Sequence, residues 1–303
     1  MPNKTFLTNK IVNSLLVNQF QVFLTRGSFD VAAKKEFLIL IKTLTNVDGL
    51  NQDQALSLRA ISYFLSAYPL VISIRTNREI LSNEIVYSRF QIPVVTPEFF
   101  ENILKEKAVP EIESAKGRHS VSINTKTLRE KRKELGFTLE ELSKIIRISK
   151  KALYEIENER VNPSIETVKR LESILGINLK NVFRLRPSEP TYLKPRSEFQ
   201  SKVTKEFSRI GVENSPTYSA PFEIIGKEKF SMIACLSKNS VKIKREANTI
   251  KKLSSIFSSK CMFVVKRCES QAIEGIPIVL ELELSEIENA KELIELMEER
   301  GDS

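Results

Sequence analysis

The sequence predicts a multidomain protein in which an all-α segment lies between two similar α/β domains, each containing a mixed sheet. Three observations lead to this fold class. Two linker-like segments divide the chain, the outer parts share one order of helices and apolar strands, and the middle part shows only helical periodicity. A length of 303 residues, with 41% hydrophobic and 28% charged residues, is typical of a globular chain with two or three cores.

Composition argues against several classes of protein. The apolar runs are too short to cross a bilayer and the N-terminus is polar, so we expect a cytoplasmic protein with no membrane partner. Three scattered cysteines (Cys235, Cys261 and Cys268) form no CxxC pair, which argues against a disulfide or zinc framework. Any catalytic triad would have to use the single histidine, His119. We expect no catalytic residues, no metal and no cofactor.

Local composition also predicts the domain boundaries. Residues 108–123 are polar and charged, and residues 185–196 contain three prolines, which fix φ and remove backbone donors. We expect both segments to be linkers. They separate an N-terminal α/β domain (1–107), a helical domain (124–184) and a C-terminal α/β domain (197–303).

In the N-terminal domain, a helix near Asn9–Asn18 precedes two apolar segments, Phe29–Ala33 and Phe37–Ile41, which are joined by a polar turn. Short apolar segments on both sides of a turn favour a hairpin of buried strands. A second helix at Asp53–Ala67 is followed by strands at Leu70–Ile74 and Ile92–Val95. A last helix completes the order, with Thr96 as its N-cap and Pro97 at its first position.

Four short helices are predicted in the middle segment, at Leu128–Leu135, Leu139–Ile146, Lys150–Asn158 and after Pro163-Ser164. Capping boxes at Thr127 and Thr138, a cap at Ser149, and stops at Gly136 and Gly176 bound these helices. The tight turn between the second and third helices is typical of a helix-turn-helix.

The C-terminal domain repeats the α-β-β-α-β-β-α order of the N-terminal domain. Phe222 and Phe230 follow Phe29 and Phe37 at the same distance along the chain, and Ile276-Pro277-Ile278-Val279 resembles Ile92-Pro93-Val94-Val95. The other predicted elements of this copy are helices at Glu198–Ile210 and Val241–Ser258, a strand at Met262–Val265 and a last helix capped by Ser285. A duplicated fold follows from this match.

Charge is concentrated in the middle segment. The chain has 47 basic and 38 acidic residues, and residues 124–184 carry 14 of the basic and 9 of the acidic ones. With the apolar side of the third helix facing inward, its polar face presents Lys150, Lys151, Tyr154 and Asn158. Such a helix fits the major groove of DNA. We expect further DNA contacts from residues at the helix starts and around the turn: Ser149, Thr138, Arg129, Arg132, Lys133, Lys144 and Arg147.

The middle segment resembles the Cro/C1-type helix-turn-helix domain. The family pattern occurs at Arg129-x-x-Arg132, Leu135-Gly136, Thr138, Leu142, Ile148-Ser149, Ile156-Glu157, Pro163-Ser164 and Leu171. By this resemblance, the helix that begins at Lys150 is the recognition helix. Three positions depart from the pattern, because Leu139 replaces a phosphate-contacting glutamine, and Arg147 and Glu159 replace glycines.

The whole chain is similar to a group of archaeal helix-turn-helix transcriptional regulators, whose N-terminal motif here spans Ser28–Lys34 and Leu40–Lys42. The N-terminal order is also similar to the restriction-endonuclease-like fold, which holds a metal with an Asp and a Glu-x-Lys pair. Here Asp30 and Lys42 are present, but Leu40 replaces the glutamate. The C-terminal copy has Glu223 with Ile233 and Cys235, so both copies are predicted to be catalytically inactive.

We therefore expect a sequence-specific regulator of transcription that binds double-stranded DNA, without enzymatic activity. The resemblance implies a homodimer on two half-sites, and a component of the transcription machinery is a further candidate partner. The first alternative is a metal-dependent, structure-specific nuclease or nucleic-acid processing factor, in which the helical module docks the protein on its nucleic-acid substrate. The second alternative is a protein-interaction scaffold.

Overall fold

The computed structural model describes residues 3–105, 109–115, 118–237 and 240–301, and within strands and helices it leaves out the side chains of 113–119 and 240–242. The side chain of His119 therefore lies outside the described part. The chain forms two compact units, one of residues 1–72 and 186–303 and the other of residues 73–185. Among the described residues, no helix is both long enough and apolar enough to span a bilayer.

The N-terminal part of the first unit begins with a helix whose N-cap, Asn3, accepts a hydrogen bond from the Phe6 amide. This cap starts the helix at Lys4, five residues before the predicted start. Four strands then occur in the order β1-β2-β3-β4. The elements are α1 (Lys4–Val17), β1 (Gln21–Leu24), β2 (Val31–Lys34), β3 (Leu38–Asn46), α2 (Gln52–Phe64) and β4 (Tyr68–Arg75), and β4 continues into the second unit.

The second unit contains four strands and a helical bundle. Its elements are β5 (Val86–Arg89), β6 (Ile92–Val95), α3 (Pro97–Leu104), β7 (Ile112–Ala115), β8 (Arg118–Val121), α4 (Thr125–Glu134), α5 (Leu139–Ile146), α6 (Lys150–Glu157) and α7 (Ile165–Leu175). The strand order is β6-β5-β7-β8. Residues 108–123, expected to be a linker, contain β7 and β8, because the backbone of this segment pairs with β5 and with itself.

The C-terminal part returns to the first unit. Its elements are α8 (Glu198–Arg209), β9 (Glu213–Pro216), β10 (Ile224–Lys227), β11 (Ser231–Ser237), α9 (Ser240–Phe257), β12 (Lys260–Val265), β13 (Ala272–Ile273), β14 (Ile276–Leu280), α10 (Glu281–Glu286) and α11 (Ala290–Gly301). The sheet order is β13-β14-β12-β11-β10-β9, and β11, β12 and β14 are parallel. The segment between α7 and α8 contains no further helix or strand apart from isolated bridges at Lys180 and Val182.

Two predicted N-caps are wrong. Asn124, not Thr127, caps α4, because the Asn124 side chain accepts from the Thr127 amide and starts the helix earlier. Ser285 lies inside α10. Here the Glu283 carboxylate accepts from the Leu280 amide at 2.9 Å, so the chain turns into a helix directly at the end of β14.

The duplication of the α/β fold is visible in strand position and register. Val31–Lys34 and Ile224–Lys227 are β2 and β10, and they are 193 positions apart. Each pairs with the following strand in the same antiparallel register. The strand order β1-β2-β3-β4 is repeated as β9-β10-β11-β12. This confirms the predicted pair of similar mixed-sheet regions on either side of a helical segment.

Sequence patterning missed the strands β1, β5, β9 and β13. These are short, and their side chains are largely half-buried or exposed, so they lack the apolar runs that identify buried strands. Backbone pairing with a neighbouring strand, rather than side-chain burial, places them in the sheet. In the described part of the chain, each copy therefore has six strands instead of the predicted four.

The two outer segments of the chain pack against each other within the first unit. The Phe257 ring of α9 lies 6.2 Å from the Phe29 ring and 6.3 Å from the Phe222 ring. The Ser28 amide donates to the Ser219 carbonyl at 2.6 Å. At Gly27, where φ is +135°, a Cβ atom would lie 1.8 Å from the same carbonyl oxygen, so only glycine fits.

Candidate nucleic-acid interface

Side-chain caps fix the turn between α5 and α6. The Thr138 hydroxyl accepts from the Glu141 amide, and the Glu141 carboxylate accepts from the Thr138 amide at 2.8 Å, which confirms the predicted capping box. The Ser149 hydroxyl accepts from the Ala152 amide at 3.0 Å and so starts α6. Between the two helices, Arg147 has a φ of +61°, a left-handed conformation that favours glycine.

The packing of the bundle determines which side of α6 is exposed. Leu153 and Ile156 of α6 are buried in one core cluster with Leu142 and Ile146 of α5, and Leu171 of α7 belongs to the same cluster. Because these side chains lie on one side of α6, the opposite side, with Lys150, Lys151 and Tyr154, faces solvent. The short helix is held against α5 by its apolar side, as the spacing predicts.

The outward side of α6 carries the four residues predicted for it. Lys150, Lys151, Tyr154 and Asn158 are all exposed, and the side chain of Lys150 is 62% exposed. The Lys150 ammonium lies 3.8 Å from the Glu140 carboxylate, a weak surface ion pair. The Asn158 amide donates to the Tyr154 carbonyl at 2.7 Å, but its side chain stays at the surface. This face combines cations with hydrogen-bonding groups.

Further cations lie near this face. Lys133, Lys144 and Arg147 are exposed. The Lys144 ammonium lies 2.9 Å from Glu140, and this hydrogen bond holds the pKa of the Glu140 carboxyl below its usual value. The Arg129 side chain is 45% exposed, and its guanidinium donates to the Glu157 carbonyl at 2.5 Å. These cations remain accessible to an anion.

Arg132 does not lie on this surface. It is buried, and its Nε and Nη2 atoms donate to the two carboxylate oxygens of Glu157 at 2.6 and 2.9 Å. Its Nη1 atom donates to the Phe137 carbonyl at 2.8 Å. The hydrogen bond with Glu157 raises the pKa of Arg132. The predicted DNA contact from Arg132 is therefore wrong, because its guanidinium is fully engaged in joining α4 to α6.

One cation of this surface was missed. The Arg160 guanidinium lies 5.6 Å from the centroid of the Tyr154 ring and 3.3 Å from the Glu155 carboxylate. Glu159, with a φ of +60°, turns the chain just after α6 and brings Arg160 back beside the helix. The only sequence signal was the position of Glu159, where the family pattern has a glycine.

The nuclease-like centre of the N-terminal copy contains one buried carboxylate. Asp30 lies 2.8 Å from the Lys4 ammonium and 3.3 Å from the Lys42 ammonium. Its second oxygen accepts from the Thr43 amide at 3.0 Å. Burial lowers the pKa of Lys42, and the negative charge of Asp30 partly counteracts this effect. Two ammonium groups therefore already neutralise the carboxylate.

This centre does not fit a divalent metal. Catalytic magnesium needs several oxygen ligands, but the neighbouring strand supplies the fully buried apolar side chain of Leu40. Within the described ranges, no group of three or more histidine, cysteine or acidic residues is arranged so that it could hold a metal ion. In the C-terminal copy, the Glu223 carboxylate accepts from the Leu236 amide at 2.8 Å, and Cys235 occupies the position equivalent to Lys42. The donor set of a metal site is incomplete in both copies.

The bundle and its capped turn define a helix-turn-helix protein, and comparison with known families agrees with this class. Residues 128–180 match the helix-turn-helix family model, and residues 4–110 match a PD-(D/E)XK superfamily domain. These matches confirm both resemblances predicted from the residues. No solved structure matches the chain.

Relatives cover almost the whole chain. A protein of Methanothermobacter thermautotrophicus is 34% identical over 283 residues, which are 91% of this chain and 89% of the relative. A protein of Methanobrevibacter smithii is 28% identical over the full length of both chains, and one of Pyrococcus abyssi is 30% identical over 90% of this chain and 89% of the relative. All three carry the name "Putative HTH-type transcriptional regulatory protein". The chain belongs to this family of archaeal regulatory proteins.

Proposed function

We propose that the protein is a sequence-specific, double-stranded DNA-binding regulator of transcription that acts in the cytoplasm. In this proposal α6 is the recognition helix. The observation that carries the proposal is the pair of exposed lysines at the start of α6, on a helix whose opposite side is held in the bundle core. The family membership supports the same conclusion.

The residues of α6 have separate roles in the proposed complex. Lys150 and Lys151 lie in the first turn, where the positive end of the helix dipole also favours phosphate, and they donate to guanine acceptors or to phosphates. Tyr154 and Asn158 lie further along the same exposed side and contact bases or backbone. Lys133, Lys144 and Arg147 contact phosphates on either side of the groove, and Arg129 does so with the part of its guanidinium that faces solvent.

The caps contribute through the backbone. The hydroxyls of Thr138 and Ser149 are engaged at the starts of α5 and α6, so their contribution is to orient the helix ends. Free backbone amides of the first turn then remain available for a phosphate oxygen.

The test is a gel-shift titration with duplexes selected from a random pool by the purified protein. The variant Lys150→Ala, Lys151→Ala is expected to weaken binding by about 1–3 kcal/mol and to lose preference for the selected sequence. Lys169→Ala, an exposed lysine of α7, is the matched control and should retain affinity and preference. Unchanged affinity in the double variant, with both proteins folded, would refute the role of α6.

We further propose that the protein binds as a homodimer to two half-sites one helical turn apart, about 34 Å along the duplex. The stoichiometry of the complex on the selected duplex, measured by light scattering, tests this proposal. Moving the half-sites apart by about five base pairs, half a turn, should abolish cooperative binding. One protein per duplex would contradict it.

The match to a PD-(D/E)XK domain favours a second candidate function, a nuclease or nucleic-acid processing factor. We propose that neither nuclease-like copy cleaves DNA, because Leu40 and the two ammonium groups at Asp30 leave no room for a metal with several oxygen ligands. Incubation with supercoiled, linear and branched DNA in the presence of magnesium or manganese tests this. Cleavage that is lost in Asp30→Asn would establish the nuclease instead.

A further inference from the structure

A second basic surface lies in the first unit, on α9. This helix packs through Ile243, Ala247 and Ile250 in the described core. Its opposite side carries Lys244, Asn248, Lys251 and Ser255 at intervals of four, three and four residues, flanked by Arg245 and Lys252. These positions form one stripe along three turns, about 16 Å long at 1.5 Å per residue.

The charges of this stripe are not neutralised by neighbouring acids. Within the described residues, no carboxylate lies at ion-pair distance from Lys244, Arg245 or Lys252. The Lys251 ammonium donates to the Glu274 carbonyl at 3.0 Å, which leaves its charge uncompensated. The stripe therefore presents four cations to solvent.

Other helices of the same unit arrange their charges differently. On α8, the Lys202 ammonium lies 3.1 Å from Glu198. On α11, the Lys291 ammonium lies 3.2 Å from Glu295. Such i,i+4 pairs are the usual arrangement on a solvated helix face. The unpaired cations of α9 are thus not a general property of the helices of this unit.

The chemistry of the stripe selects one kind of partner. A protein interface would need aromatic or aliphatic anchors at its centre, and single-stranded nucleic acid would use aromatic rings for stacking. The stripe from Lys244 to Ser255 exposes only lysine, arginine, asparagine and serine side chains. Duplex DNA presents one phosphate charge per roughly 1.7 Å of its axis, on the order of nine along the length of the stripe. Charge complementarity therefore favours the duplex backbone.

We propose that the exposed stripe of α9 is a second, sequence-independent binding site for the phosphate backbone of duplex DNA. This second site goes beyond the proposed function, because it gives a nuclease-like domain a DNA-binding role without catalysis. The inference rests on the proposed function only in requiring that the protein binds duplex DNA. The first unit then supplies affinity, and α6 supplies sequence preference.

The test measures the salt dependence of binding to a long duplex of random sequence by the full-length protein. Each phosphate contact contributes about −0.9 to the slope of log affinity against log salt concentration. The variant Lys244→Ala, Arg245→Ala, Lys252→Ala should therefore reduce the magnitude of this slope by about 2–3. Its preference for the selected sequence over random DNA should stay within about twofold, because phosphate contacts carry no sequence information.

The matched control removes three exposed lysines of the same unit: Lys202→Ala, Lys205→Ala, Lys291→Ala. It changes the net charge equally and should leave the slope within about 0.5 of the parent value. Equal slopes for the two variants, with both shown to be folded by circular dichroism, would overturn the role of α9. A parent protein that binds no duplex would instead refute the proposed function itself, so the two failures are distinguishable.

Discussion

The lysines of α6 and the lysine of the nuclease-like centre differ in how their charges are solvated. Lys150 is 62% exposed and has only a distant carboxylate at 3.8 Å, whereas Lys42 is 3% exposed and lies 3.3 Å from Asp30. An exposed ammonium can exchange water for a phosphate at little cost, but a buried one depends on its fixed partner. A lysine is therefore not a candidate contact to DNA by residue type alone. Its solvent exposure and its distance from a carboxylate must also be considered.

We expect the largest effect of a substitution on stability at Arg132, a basic residue whose side chain is buried in the helical bundle. Arg132→Ala leaves the buried Glu157 carboxylate with only the half-exposed Arg129 guanidinium, whose Nε lies 3.9 Å away, and we expect a loss of about 3–5 kcal/mol in the free energy of unfolding. Urea denaturation monitored by circular dichroism measures this. The neighbouring variant Lys133→Ala should stay within about 0.5 kcal/mol of the parent. Equal stabilities would show that the ion pair is dispensable.

The second prediction concerns the centre around Asp30. Asp30→Asn removes the negative charge that both Lys4 and Lys42 face, and should destabilise the protein by about 2–3 kcal/mol at neutral pH. Chemical denaturation compares the variant with the parent. Asp30→Asn, Lys42→Met removes the unpaired ammonium and should recover part of this loss. No recovery would argue against a direct coupling of the two residues.

The same variant should change the pH dependence of stability. Burial lowers the pKa of Lys42 below its ordinary value of 10.5, so the folded state binds fewer protons than the unfolded state between the two values. In that range the contribution of Lys42 to the free energy of unfolding increases with pH. Loss of the Asp30 charge lowers the pKa of Lys42 further, so the deficit of Asp30→Asn should narrow as the pH is raised towards 10.5. A deficit independent of pH would contradict this assignment.

The fourth prediction concerns the backbone conformation of Glu159, just after α6. Glu159 has a φ of +60°, so Glu159→Gly should stabilise the protein by about 0.5–1 kcal/mol through relief of the left-handed conformation. The Thr125 hydroxyl loses its hydrogen bond to this carboxylate, which limits the gain. Thermal denaturation measures the effect. Glu159→Ala keeps the conformational cost and serves as the control that should show no gain.

The smallest effect is expected at α6. Lys150→Ala, Lys151→Ala should change the free energy of unfolding by less than about 0.5 kcal/mol, because neither side chain is buried or closely paired. The same denaturation assay used for Arg132→Ala measures it. A large destabilisation would mean that these lysines stabilise the bundle, and the binding defect of this variant would then need another explanation.

Much of the helical module was predictable because its signals are local. Capping residues, apolar spacing and the left-handed position of Arg147 all act within a few residues, so the turn before Ser149 follows from the sequence. The inward role of Arg132 did not follow, because its partner Glu157 is 25 residues away and only packing brings them together. The hairpin of β7 and β8 was missed for the same reason, since its place depends on pairing with β5.

The contact between Gly27 and Ser219 has a consequence for the order of events during synthesis. One compact unit uses both ends of the polypeptide, whereas the other is contiguous and includes the whole bundle. A ribosome adds about 5–20 residues per second, so the bundle emerges complete roughly two to seven seconds before Ser219, which contacts Gly27. The nascent chain therefore exposes the lysines of α6 while residues 1–72 still lack the segment that completes their compact unit.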